Sequence, residues 1–216
     1  MGEFIEPYLF KNMPGRLITL EGIDNSGKTT HAQKLSNYLK KKGHKVLLVR
    51  DPGGTKISEK IRKILLDKKN SLMASTEFFL YLAARYQLVS EIILPALKKN
   101  KIVICDRFCD STLAYQGYGR GLKVDLVERI LKSFFPMPDL TILIDLPVPL
   151  ARKRFGLTKP DRLEKENLSF HEKVRRGYLE IAKKNRQRVR VVNGAGNLAK
   201  TYEQVRKIVD NFLSRN

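Results

Sequence analysis

The sequence predicts an α/β domain built on a five-stranded parallel sheet with helices on both faces. Three observations carry this. Strand-like and helix-like segments alternate along the chain. The strand-like runs are continuously apolar, as in strands buried on both faces. The first of them runs straight into Gly22-Ile-Asp-Asn-Ser-Gly-Lys-Thr, where a helix then begins.

The strands are expected near 16–22, 45–50, 101–105, 140–145 and 189–193. The first helix should start near Gly27 and stop before Gly43, and a second covers about 56–67. The segment 75–99 reads as one long helix, with Ser75, Thr76 and Glu77 supplying its start. Further helices are expected near 123–134, 167–185 and 198–214. Residues 156–164 hold Gly156 and Pro160 in a polar stretch and read as a mobile loop, so 152–164 is the candidate lid. Met13 starts a second plausible beginning, so residues 1–15 read as an extension to one domain spanning 16–216.

Composition narrows the function. At 216 residues and 42% hydrophobic the chain can bury a core. No apolar run reaches the length of a membrane span, and the N-terminus lacks the pattern of a secretory signal. Cys105 and Cys109 make neither a disulfide framework nor a zinc site, so they read as reduced thiols of a cytoplasmic protein. The net charge of +20 would draw polyanions. Its clusters at 40–45, 66–70 and 183–190 sit at expected helix ends and turns, without the interleaved aromatics of a single-strand track. They read as a solvated lysine-rich surface.

Gly22-x-x-x-x-Gly27-Lys28-Thr29 between strand and helix fits the P-loop, and with it a three-layer P-loop NTPase fold. Its glycines let successive amides turn toward phosphate oxygens. The helix N-terminus adds a favourable dipole. Residues Gly22, Ile23, Asp24, Asn25, Ser26, Gly27, Lys28, Thr29 and Thr30 are therefore the expected nucleoside triphosphate site, of a kind that serves ATPases, GTPases and small-molecule kinases. Lys28 would reach the β- and γ-phosphates, and the Thr29 hydroxyl would hold Mg2+. Asp24 would oppose phosphate unless it faces a cation or a sugar hydroxyl.

Ligands of open parallel sheets bind at the carboxyl ends of the strands. There stand Arg50, Asp51, Asp106 and Arg107, suited to a second anion beside Mg2+; the alternative is a structural ion pair. Tyr81 and Arg85 lie four apart on one helix face, where a ring and a planar donor could hold a base; the alternative is core packing.

Taken together, "RDPGGT", "YLAARYQ", "DRFCDSTLAYQGYGRG", "PDLTILID" and "DRLEKENLSFHEKVRRGYLEI" make the chain resemble the thymidylate kinases from about residue 16 to its end. That resemblance implies transfer of the γ-phosphate of ATP to dTMP with Mg2+. It implies that Arg107 binds the dTMP phosphate and that Asp24 lies near the acceptor sugar or metal. Asp51 would help organise acceptor phosphate and metal, and Asp106 would act on the metal through water. Arg62 and Arg85 would reach the nucleotide, Arg85 at the thymine edge. Tyr81 would stack on thymine, Thr112 and Gln116 would face it, and Tyr115 would crowd a 2′-hydroxyl. The 192–197 loop would rest adenine. The P-loop interior holds no basic residue, so the lid should supply the charge-stabilising arginine, with Arg154 and Arg162 the candidates. A homodimer is implied as well. The rival readings are a P-loop kinase of another nucleotide or of a deoxynucleoside, and a nucleic-acid-dependent ATPase.

Overall fold

The computed structural model describes residues 13–154 and 160–214. The rest of the expected extension, residues 1–12, and the middle of the expected lid lie outside the described residues. The five strands are β1 (Arg16–Glu21), β2 (Val46–Arg50), β3 (Ile102–Asp106), β4 (Leu140–Asp145) and β5 (Val189–Asn193). They form one parallel sheet in the order β2-β3-β1-β4-β5. β1 sits at the centre, and its register pairs Leu20 with Asp106 on one side and Glu21 with Leu143 on the other. The ends of β1 and β3 are thus level, which brings Gly22 and Arg107 together.

Each side of the sheet has its own core. Ile18, Leu20, Ile104 and Ile142 pack with Leu35 and Leu39 of α1 (Lys28–Lys41) and Val205 and Val209 of α9 (Leu198–Leu213). Leu17, Val103, Cys105 and Leu143 pack on the other side, with Leu88 of α3 (Ala74–Leu88) and Val174 of α8 (Leu168–Lys184). The buried cysteines are free thiols. Thr55, Asn167 and Asn197 cap α2 (Lys56–Leu66), α8 and α9 by accepting backbone N–H bonds.

Three stretches differ from the sequence expectation. The helix expected over 75–99 starts at Ala74 and is not uniform. It passes through a π-helical segment, Val89–Ile93, into α4 (Leu94–Lys98). Pro95 has no N–H to continue the α ladder, and the wider turn absorbs the loss. Residues 109–119, for which no element was expected, are helical: α5 (Cys109–Thr112) leads into a π-helical segment, Leu113–Gly119. A short α7 (Val148–Lys153) was also not expected; between it and α5 lies the expected α6 (Val124–Phe134). Gly15, assigned to the extension, already belongs to the fold, since its amide donates to Leu97 O at 3.0 Å.

The glycines that hide the 109–119 helix from its sequence are packing devices. A Cβ on Gly119 would meet Phe170 Cε2 at 2.8 Å, and one on Gly177 of α8 would meet Tyr118 Cβ at 2.7 Å. Each glycine therefore makes room for an aromatic side chain of the other element. Gly177→Ala should destabilise the protein by a net of about 1 kcal/mol: overpacking costs about 2 kcal/mol, the middle of its usual range, and the gain in helix propensity returns about 1. Urea denaturation at neutral pH checks this; a variant as stable as the parent would show that the helices part at no cost.

Candidate active site

The loop after β1 follows the path its glycines allow. Gly22 and Gly27 have φ of 141° and 93°, and Asn25 takes a left-handed φ of 60°. The loop then enters the 14-residue α1 at Lys28, so the amides of the first turn face its mouth. The Lys28 ammonium donates to Ile23 O at 2.7 Å, which folds the side chain back over the loop. Burial and the nearby Arg107 lower Lys28 to about 8, against the pull of Asp24 and Asp106.

Asp24 faces a cation. Its Oδ1 accepts from Arg107 Nη2 at 2.5 Å and its Oδ2 from the Tyr115 hydroxyl at 2.7 Å. Burial pushes its carboxyl up, but Arg107, Lys28 and the Tyr115 bond outweigh burial and hold it at about 2. Arg107 sits in a left-handed conformation, φ 68°. Its Nη1 donates to Gly22 O at 3.0 Å, the Tyr178 hydroxyl at 3.1 Å and Ser111 Oγ at 3.2 Å. One guanidinium thus ties the P-loop to α5 and α8.

A cavity of about 500 Å3 opens on this loop. Lys28, Thr29 and Thr30 line it together with Arg62, Tyr81, Arg85, Thr112, Tyr115 and Gln116, and with Asp51, Asp106 and Arg107. The expected ATP and acceptor residues therefore share one space. Thr29 Oγ1 donates to Asp106 Oδ2 at 2.5 Å, so two oxygen ligands suited to a hard cation stand side by side. Arg85 is buried. Its Nε donates to Asp51 Oδ2 at 2.5 Å and its Nη2 to Thr112 Oγ1 at 2.7 Å. Asp51 Oδ1 and Arg85 Nη1 are buried with no hydrogen-bond partner among the described residues, an arrangement that suits a polar ligand. Arg62 donates to Pro52 O at 2.8 Å, and Arg50, which also lines the cavity, donates to Glu59.

The structure separates the two lid arginines. Arg154 lines the cavity, where its Nη2 donates to Gly194 O at 2.8 Å, in the 192–197 loop. Arg162 is not among the lining residues. Its Nε donates to Leu65 O at 2.8 Å, and its Nη2 lies 2.6 Å from Glu77 Oε2, a charge contact without hydrogen-bond alignment.

Sequence reasoning missed Glu21. It closes the central strand and is fully buried. Its carboxylate accepts from Phe108 N at 2.7 Å, Ser111 Oγ at 2.6 Å and the Tyr178 hydroxyl at 3.0 Å. Ser111 and Tyr178 are the same hydroxyls that meet Arg107, so Glu21 anchors them from below. An acidic residue at the end of an apolar strand was the available signal. Burial, aided by the charge of Asp110, raises Glu21 to about 7. Glu77 was read only as a helix start and is a second buried acid, described below.

A family model described as thymidylate kinase matches residues 20–205. A thymidylate kinase of Caldanaerobacter subterraneus subsp. tengcongensis is 46% identical over 205 residues, 93% of this chain and 98% of that protein. One of Thermoanaerobacter sp. (strain X514) is 44% identical over 203 residues, 93% of this chain and 100% of that protein. The crystal structure of thymidylate kinase from Ehrlichia chaffeensis superposes with a TM-score of 0.74 at 35% identity, covering 90% of this chain and 98% of that one.

Glu21 gives a signed pH test. A carboxyl raised from 4.5 to about 7 favours the fold below pH 4.5, and that contribution is lost as pH rises through 7. The stability difference between the parent and Glu21→Gln should therefore swing against the parent by roughly 3 kcal/mol from pH 4.5 to 8. Urea melts of both proteins across that range measure the swing, and parallel curves would show that Glu21 titrates normally.

Proposed function

The chain belongs to the thymidylate kinase family and transfers the γ-phosphate of ATP to dTMP, giving dTDP and ADP for dTTP synthesis, and we propose a division of that work among its residues. The single observation that supports it is the sharing of one cavity by the P-loop and the Arg107 and Arg85 clusters. Phosphoryl transfer needs positioning and charge stabilisation more than covalent chemistry by the protein.

In this reading residues 22–30 seat the triphosphate, with Lys28 on the transferring group. Arg107 holds the acceptor phosphate, and Asp24 fixes that guanidinium at the mouth of the P-loop. The acceptor is already a phosphate, so no general base is required. Tyr81 stacks on the base, Arg85 offers Nη1 to its edge, and Thr112 and Gln116 complete the wall. Arg62 reaches the acceptor from α2, and Tyr115 packs where a 2′-hydroxyl would lie.

Mg2+ fits the oxygens present. Thr29 would hold it directly and Asp106 through water, with Asp51 a third candidate. Among the described residues no group of three or more His, Cys, Asp or Glu forms a metal cage. That suits a cation carried mainly by phosphates and water. When bound it neutralises phosphate charge. No helix among the described residues is long and apolar enough to cross a membrane. A cytoplasmic homodimer without a nucleic-acid partner completes the proposal.

The test is ADP formation with ATP and Mg2+, adding dTMP, thymidine or DNA singly. Only dTMP should stimulate it. Lys28→Ala should stay folded and lose a factor of about 10² or more in turnover, since it removes a charge aimed at the transferring group. Unchanged turnover would take the P-loop out of the chemistry.

The lid arginines make a second test. Arg154→Ala should lower kcat by about 10³ with little change in KM for dTMP, the mark of a contact made in the transition state. Arg162→Ala should act mainly on KM. Equal losses of kcat in both would show that the lid shares the charge. Wild-type kcat in both at saturating ATP would remove the lid from the step.

A further inference from the structure

The base wall is backed by a buried acid that the reaction itself does not use. Glu77 of α3 is fully buried. Its Oε1 accepts from Gln116 Nε2 at 2.8 Å and from Arg120 Nε at 3.1 Å. Its Oε2 accepts from Arg120 Nη2 at 3.0 Å and lies near Arg162. Arg120 is held in turn by Glu166 and by the face of the Phe170 ring, 4.7 Å from its centroid. Burial disfavours the Glu77 carboxylate, but the bonds from Arg120 and Gln116 outweigh it and hold the group below its usual range.

The chemistry of this contact has one direction. An ionised carboxylate only accepts, whereas an amide has a donor end and an acceptor end. Gln116 must therefore turn its NH2 toward Glu77. Its carbonyl oxygen is left for the cavity, which Gln116 lines. A fixed acceptor there suits a pyrimidine with a hydrogen on N3, as in thymine and uracil. It faces lone pair to lone pair against cytosine, whose N3 is an acceptor. A free amide would flip and serve either base.

We propose that Glu77 is a positioning residue that sets the preference for thymine over cytosine nucleotides by fixing the orientation of the Gln116 amide. The proposal rests on the reading of Gln116 as a base contact. Glu77→Gln tests it well. The amide that replaces the carboxylate can keep its oxygen toward Arg120 Nη2 and Arg162 and turn its NH2 toward Gln116, which then has to meet a donor there. The Gln116 carbonyl is then no longer committed to the cavity.

The measurement is kcat/KM for dTMP and for dCMP on the parent, Glu77→Gln, Gln116→Met and the double variant. Gln116→Met should lower the dTMP:dCMP ratio. Glu77→Gln should lower it about tenfold or more, acting on the two KM values while kcat for dTMP changes little. The double variant should lose no more discrimination than Gln116→Met alone, because Glu77 acts only through that amide. A merely structural acid would weaken both nucleotides alike and leave the ratio in place. A lowered ratio in Gln116→Met with the parent ratio in Glu77→Gln overturns the role of Glu77. An unchanged ratio in Gln116→Met overturns the base contact on which the proposal stands. If Glu77→Gln does not fold, Glu77→Met with Arg120→Met removes acid and base together. The same fall in the ratio is then expected, and its absence overturns the proposal.

Discussion

A carboxylate inside a phosphate-binding loop is tenable here because Arg107 lies against it. The Asp24–Arg107 contact is made possible by the register of the sheet. β1 and β3 are neighbours with Leu20 opposite Asp106, so the residues just past each strand end meet. The backbone completes the join, since Arg107 N donates to Leu20 O at 3.0 Å. From this point the site spreads outward. Tyr115 is fixed by Asp24, while Ser111 and Tyr178 are fixed by Arg107 from one side and Glu21 from the other. Removing the guanidinium would leave Asp24 without its ion-pair partner beside a triphosphate seat, at a cost both to the loop's conformation and to anion binding.

Much of this was legible in the sequence because it is written in local patterns. Each observed strand lies within a residue of its expected range, since apolar runs bounded by polar turns are local signals. The P-loop and the Asp106-Arg107 step fell at strand ends, where chain order alone puts ligand groups. What was not legible depends on partners far along the chain. The helix at 109–119 contains Gly117 and Gly119, poor helix formers, and the reason for Gly119 shows only once Phe170 and Val174 of α8 are seen against it. The π-helical turn before Pro95 needs the tertiary path to choose it over a break.

The buried acids show the same limit more sharply. Glu21 and Glu77 look like ordinary charged residues until their partners, Ser111, Tyr178, Gln116 and Arg120, arrive from later elements. Arg162 is the converse case. Its place next to a polar loop made it a candidate for the transferring phosphate, yet its guanidinium meets Glu77 and the carbonyl of Leu65. Proximity in sequence to a lid does not fix which way a long side chain turns.

The position of β1 at the middle of the sheet has a consequence for how the protein breathes. Its amides and carbonyls are bonded to strands on both sides, whereas β2 is an edge strand with β3 as its single neighbour. Segments with the most shared bonds open only with the whole domain, and edges open on their own at lower free energy. The triphosphate seat hangs from the first kind of segment. Asp51 and the loop before α2 hang from the second. Amide exchange would therefore grade the two halves of one cavity: a stiff anvil under the nucleotide triphosphate and a more yielding jaw on the side of Arg62 and Asp51.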